Sequence, residues 1–183
     1  MPNSLYPVAV FVALMWAVYL LDFIIPVSFV SHGLVPRSIG GVLGIATMPF
    51  LHAGFGHLLG NTIPIAILLS LTATTRDQPW EKIVAIAVLG GVLLWCFGRT
   101  ANHVGASGLV FGLIVFLIIV GVREKQFLSL AVAVAVGLFF GGSLLGGVIP
   151  SVGSAVSWDG HVCGAIAGGV VGVVTTEKAN AFF

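Results

Sequence analysis

Three short stretches hold the side chains best suited to chemistry. The first is Gly105-Ala106-Ser107-Gly108, at the head of a long apolar run. A serine hydroxyl is a weak nucleophile until a neighbouring base takes its proton. In the first turn of a helix its backbone N–H also lacks an intrahelical partner, so it can donate to an oxygen that gains negative charge. Glycines beside it let another backbone approach closely. The second stretch is Gly160-His161-Val162-Cys163-Gly164, which opens another apolar run. A histidine inside such a run is costly and points to function, and an imidazole is a suitable base for a hydroxyl. The third is His52-x4-His57-x3-Asn61. His57 and Asn61 are four apart, so they share a helix face, and both can donate hydrogen bonds. One fixed donor aimed at an oxyanion supplies about 3–4 kcal/mol of transition-state stabilisation. The chemistry these residues could perform is acyl transfer, with Ser107 as nucleophile, His161 as base, and His57, Asn61 and the Ser107 N–H around the oxyanion.

Each stretch also has a plainer reading. Gly, Ala and Ser let membrane helices pack closely, and polar side chains tie such helices together. His161 shares a face with Gly164, Gly168 and Gly172, at helical spacings. That smooth face could lie against Gly108 and Gly112 and carry His161 to Ser107. No carboxylate is placed to complete a triad: Asp159, two residues before His161, points elsewhere on a helix. Asp22 is the lone acidic residue deep in an apolar run, and a structural hydrogen-bonding role suits it best. His103 and Asn102 precede the serine and could shape its loop.

These residues must be positioned by apolar helices. Of the 183 residues 58% are hydrophobic and 7% charged, with a mean hydropathy of +1.17. A soluble domain carries charge on roughly a quarter of its residues, so this chain belongs in lipid. The net charge of +1 argues against a nucleic-acid partner. Cys96 and Cys163 have no zinc or redox spacing and read as small buried residues. At about 20 residues per crossing, we read six spans, at 6–30, 56–75, 80–97, 106–122, 127–149 and 156–176. They fill the chain as one membrane domain over 1–183, with no separate soluble domain. The segment 31–55, rich in Gly and broken by Pro36 and Pro49, reads as a loop in the membrane interface. The run after Met1-Pro2-Asn3-Ser4 reads as a retained first span, not a removable signal. Arg76, Lys82, Arg123, Lys125 and Lys178 fall on one side, and Arg37 and Arg99 on the other. The richer side, with both termini, is then cytoplasmic. The second, fourth and sixth spans start at the outer level, which brings His57, Asn61, Ser107 and His161 to one depth.

In this order and spacing, the three motifs resemble those of the rhomboid family of intramembrane serine proteases. The matches are His52-x4-His57-x3-Asn61, Gly105-Ala106-Ser107-Gly108 with Phe111-Gly112, and His161-x2-Gly164-x3-Gly168. The resemblance implies an all-α membrane protein, a six-transmembrane-helix bundle, and endopeptidase activity on transmembrane protein substrates. It implies that Ser107 and His161 are the catalytic pair, that His57, Asn61 and the Ser107 N–H form the oxyanion site, and that His52 supports the loop network, with Gly105, Gly108 and Gly164 in supporting positions. The chain departs from the family in having Arg37 without an adjacent Trp, Gly160 where many members have Ala, and no Gly and Glu pair near the second-to-third junction. No metal or organic cofactor is called for. The fifth span or the loop 150–157 could move to admit substrate. A short chain of this kind suits a prokaryotic inner membrane. The competing expectations are a non-cleaving relative that binds membrane clients and a transporter or metal-handling protein. The first would typically lack Ser107 or His161. The second lacks the His-Glu-x-x-His pattern.

Overall fold

The order of the elements follows the apolar runs and their breakers. The computed structural model describes residues 5–150 and 156–180. The stretch 151–155, within the loop named above as able to move, and the leading residues 1–4 lie outside the described residues. Six long helices appear: α1 (Tyr6–Ile24), α3 (Phe55–Thr75), α4 (Pro79–Phe97), α5 (Ser107–Glu124), α6 (Phe127–Gly147) and α7 (Trp158–Asn180). A short helix, α2 (Gly44–Thr47), lies between α1 and α3. No β-strand occurs among the described residues; Leu34 and His103 make one isolated antiparallel bridge.

Five helices, α1, α3, α4, α5 and α6, are long and apolar enough to cross a membrane. In α7, Asp159, His161 and the glycines dilute the hydropathy. The exterior is apolar: Phe23, Ile24, Phe127, Leu138, Phe139 and Leu145 all stand largely exposed on α1 and α6. Patches of this kind are rare on soluble monomers and are what lipid would cover. With a rhomboid-like arrangement of motifs, they make the chain a multi-pass membrane protein.

The first helix corrects the expected span at 6–30. It ends at Ile24, because Pro26 disfavours helical conformation in the residue before it. The carboxylate of Asp22 then accepts the N–H of Phe29 at 2.5 Å and folds the chain back. Asp22 thus does hold loop backbone. The segment from there to α3 is not a spanning helix. It is built from three turns of 3-10 helix (Phe29–His32, Gly40–Val42, Met48–Phe50) and α2. Gly44 lies directly on the Leu34 backbone, and Ile45 packs on Gly91 of α4, where an added Cβ would sit 2.7 Å from its Cγ2.

That segment is fastened to the end of α4. Arg37 donates to the Gly98 carbonyl at 2.8 Å and to Thr100 Oγ1 at 3.1 Å, a cation at a helix C-terminus where the dipole favours it. Trp95 Nε1 donates to the Ser38 carbonyl at 2.9 Å. A tryptophan of α4 thus reaches the backbone next to Arg37.

The centre of the bundle is α5. Leu113, Ile114 and Phe116 on it are fully buried, and it contacts α3, α4, α6 and α7. Its closest partner is α7. A Cβ on Gly164 would lie 2.7 Å from the Gly108 carbonyl carbon, and one on Gly168 2.6 Å from that of Gly112. The two backbones touch, as the glycine spacing implied. At the opposite end of α5 from Ser107, Arg76 pairs with Glu124 at 2.7 Å and donates to Ser129 Oγ at 3.0 Å. This ties α3, α5 and α6 together around a side chain only 6% exposed.

Candidate active site

Ser107 is the first residue of α5 and His161 lies in the first turn of α7. The backbone contact of these helices at Gly108 and Gly164 brings the two side chains together: Ser107 Oγ is 2.9 Å from His161 Nε2. The other ring nitrogen, Nδ1, is 2.9 Å from the carbonyl oxygen of Gly147. A carbonyl can only accept, so Nδ1 carries the hydrogen. Nε2 is then the free lone pair, and the Ser107 hydroxyl donates to it. Phe111, one turn beyond Ser107, stacks on the imidazole with centroids 4.1 Å apart and planes 9° from parallel. The ring is held in position and in tautomer by groups that cannot take its proton.

Gly147 ends α6, where helix carbonyls lack intrahelical partners, so its oxygen is free for the imidazole. A Cβ there would sit 2.8 Å from Phe111 Cε1 and 3.1 Å from His161 Nδ1, so the carbonyl can approach only because the residue is glycine. Sequence reasoning missed this acceptor. Every residue has a carbonyl, and the one sign available was a glycine at the end of an apolar run.

His57 and Asn61 lie in the first two turns of α3 and come to the same place. Gly105 adopts φ +108°, a conformation that favours glycine, and donates its N–H to the Met48 carbonyl at 2.8 Å. A Cβ on Gly105 would lie 2.5 Å from His57 Nε2 and 3.7 Å from Asn61 Nδ2. Both donors therefore flank the turn that delivers Ser107. Asn61 Nδ2 gives one hydrogen to the His57 carbonyl at 2.9 Å, which fixes the amide and leaves its second hydrogen to point away. Among the described residues the His57 ring makes no hydrogen bond; it packs edge-on against His52, with centroids 5.1 Å apart.

His52 is 3% exposed. Its Nδ1 sits 3.4 Å from the Phe50 carbonyl, and its Nε2 is buried without a hydrogen-bond partner. Burial first, and then the neighbouring His57, push its pKa down from the usual 6.5 to about 4. The folded protein thus favours the neutral ring, while the unfolded chain binds a proton below pH 6.5. Stability should fall as pH drops from about 6.5 towards 4. Thermal melts across that window should show a shallower acid decline in His52→Gln; equal slopes would remove His52 as the source.

Asp159 stays apart from His161, as its position in sequence implied. Its carboxylate accepts the Arg99 backbone N–H at 2.8 Å and the Arg99 guanidinium at 3.2 Å. Cys96 and Cys163 are both unbridged. Among the described residues, no three His, Cys, Asp or Glu side chains gather closely enough to hold a metal ion.

Comparison with known proteins agrees with this architecture. A family model described as the rhomboid domain matches residues 40–178. The chain is 35% identical over 169 residues to an uncharacterized protein of Mycobacterium tuberculosis, covering 86% of this chain and 69% of that one. It is 34% identical over 167 residues to an uncharacterized protein of Mycobacterium leprae, covering 86% and 66%. It is 31% identical over 148 residues to rhomboid-related protein 1 of Caenorhabditis elegans, covering 76% of this chain but 41% of that longer protein. A domain match over most of the chain, together with relatives at this identity, establishes that the chain belongs to the rhomboid family.

Proposed function

We propose that this protein is an intramembrane serine endopeptidase that hydrolyses peptide bonds in or near the membrane-spanning segments of other membrane proteins. The observation that carries this reading is the Ser107 Oγ–His161 Nε2 hydrogen bond of 2.9 Å, with Nδ1 committed to the Gly147 carbonyl. Family membership supports it, since rhomboid-domain proteins are generally serine proteases of the membrane.

The reaction follows from the geometry. His161 Nε2 takes the proton of Ser107 as Oγ attacks the scissile carbonyl carbon. The carbonyl oxygen becomes an oxyanion, and the Ser107 N–H, the free hydrogen of Asn61 Nδ2 and the His57 ring donate to it. Collapse of the tetrahedral species breaks the C–N bond, and the imidazolium gives its proton to the departing amine. Water then attacks the acyl-serine with His161 again as base, which frees the new carboxyl end and restores Ser107. All these groups belong to the chain itself. A helical substrate must unwind locally to offer its carbonyl, so segments with small or helix-breaking residues suit it.

In this reading α7 is the sixth crossing, both termini are cytoplasmic, and the site opens to water near the outer face. The excess of Lys and Arg on the opposite side supports that orientation. Mycobacterial relatives support a prokaryotic inner membrane.

The test is cleavage of a single-span reporter by the purified protein in detergent, with and without EDTA. Cleavage insensitive to the chelator supports the reading; a folded protein inert towards several reporters refutes it. Asn61→Ala and His57→Ala should each lower kcat by about 10²–10³-fold with little change in KM, because their bonds form to the oxyanion and not to the ground state. A KM effect alone would take them out of the oxyanion site.

A further inference from the structure

A second polar cluster lies one turn from the reacting pair, and none of its side chains hydrogen-bonds to either member of that pair. Its centre is His103, a buried residue only 4% exposed. The His103 backbone exchanges both hydrogen bonds with Leu34, at 2.9 and 2.8 Å. Its Nε2 is 3.0 Å from the Arg99 carbonyl, which can only accept, so Nε2 carries a hydrogen. Its Nδ1 is 2.6 Å from Ser157 Oγ, a hydroxyl that also lies 3.3 Å from Asp159 Oδ1. Ser157 is the residue just before α7, and its own carbonyl accepts the N–H of His161 at 3.0 Å.

This places one imidazole across three elements: the segment after α1, the end of α4, and the start of α7. Ser107 opens α5 four residues after His103, and His161 follows Ser157 by one helical turn. We propose that His103 is a positioning residue, clasping the loop that delivers the nucleophile to the helix that delivers the base. The inference rests on the protease reading given above. The glycine contact between α5 and α7 sets how closely the helices approach, but a smooth face leaves them free to slide. The His103–Ser157 bond fixes that axial register. A second tie runs parallel to it, from Asp159 to the backbone and guanidinium of Arg99. Arg99 in turn lies over the Trp158 ring, 5.2 Å from its centroid. Asp159 and Arg99 are charged groups beside His103, with the Asp159 carboxylate 3.8 Å from Nε2, and Arg37 of the Leu34 segment binds Gly98 and Thr100 on either side of Arg99.

Slippage of about 1 Å in a reacting pair costs on the order of 100-fold in rate, so the clasp should be visible in the chemistry. The experiment is the rate at which a fluorophosphonate probe labels Ser107, per folded molecule and across pH, in purified parent, His103→Ala, His103→Gln and Ser157→Ala. Both alanine variants should label on the order of 10- to 100-fold more slowly. The pH midpoint of labelling should be unchanged, since His161 remains the base. Glutamine, with one donor and one acceptor, should restore most of the rate, which a loss of bulk packing would not predict. Parent-like labelling of the folded alanine variants would overturn the proposal, and so would a displaced midpoint, which would put His103 in the proton transfer itself. If His103→Ala fails to fold, Ser157→Ala, which removes only a hydroxyl, decides the matter. A parent that is not labelled at Ser107 refutes the protease reading and this inference with it.

Discussion

Ser107→Ala and His161→Ala are each expected to lower cleavage of a membrane-spanning reporter by at least about 10³-fold, with the double variant losing no more than either single one. In the proposed mechanism the two act as a unit: without the base the hydroxyl is not activated, and without the hydroxyl the base has nothing to deprotonate. Their separation of 2.9 Å means either substitution removes the same hydrogen bond. Both variants should remain folded, since the glycine backbone contact between the helices below the pair stays in place. Cleavage rates by gel and folded yield by size-exclusion chromatography would settle this. Additive losses in the double variant would show that the residues work separately, and cleavage that survives Ser107→Ala would require another nucleophile.

The second large effect should come from a single methyl group. Gly164→Ala places a Cβ 2.7 Å from the Gly108 carbonyl carbon, a contact against rigid backbone that no rotamer can relieve. The helices must separate, at a cost of about 1–3 kcal/mol. Because Ser107 and His161 sit immediately beyond this contact, activity should fall on the order of 100-fold even in the molecules that fold. Gly137→Ala on α6 is the matched control, since its Cβ would meet nothing within 4 Å. It should leave the melting temperature and the cleavage rate close to those of the parent. If the two variants behaved alike, the close packing of α5 on α7 would not be what aligns the pair.

The helices were legible in the sequence because lipid imposes long apolar runs, and polar or proline-containing breaks end them. Boundaries at 55–75, 79–97 and 127–147 fall within a residue or two of those read from the runs. The first span was read too long because residues 25–30 are still largely apolar, whereas Pro26 and the Asp22–Phe29 bond decide the chain's direction. The meeting of α5 and α7 was legible in the glycine spacing, since a bare face has one evident use in a helix. The surroundings of the pair were not. The Gly147 carbonyl and the Arg99 carbonyl are main-chain groups, which residue types do not advertise. His103, Ser157 and Asp159 are ordinary polar residues whose roles depend on a meeting of three distant segments. The same holds for Trp95, which reaches the Arg37 segment from another helix.

The Gly147 carbonyl gives the site an unusual vulnerability. A carboxylate that orients a catalytic imidazole can be lost by one substitution. A main-chain oxygen is not removed that way, because every residue that replaces glycine brings the same oxygen, though a side chain at 147 would push it away from the ring. What can be lost is its address. The orientation of the imidazole depends on where α6 stops and on how close its last turn comes to Phe111. On the protease reading, insertions, deletions or bulky replacements along the final turn of α6 would therefore abolish cleavage without touching either residue of the Ser107–His161 pair. Substitutions that erase function should accordingly gather in a part of the chain with no chemistry of its own.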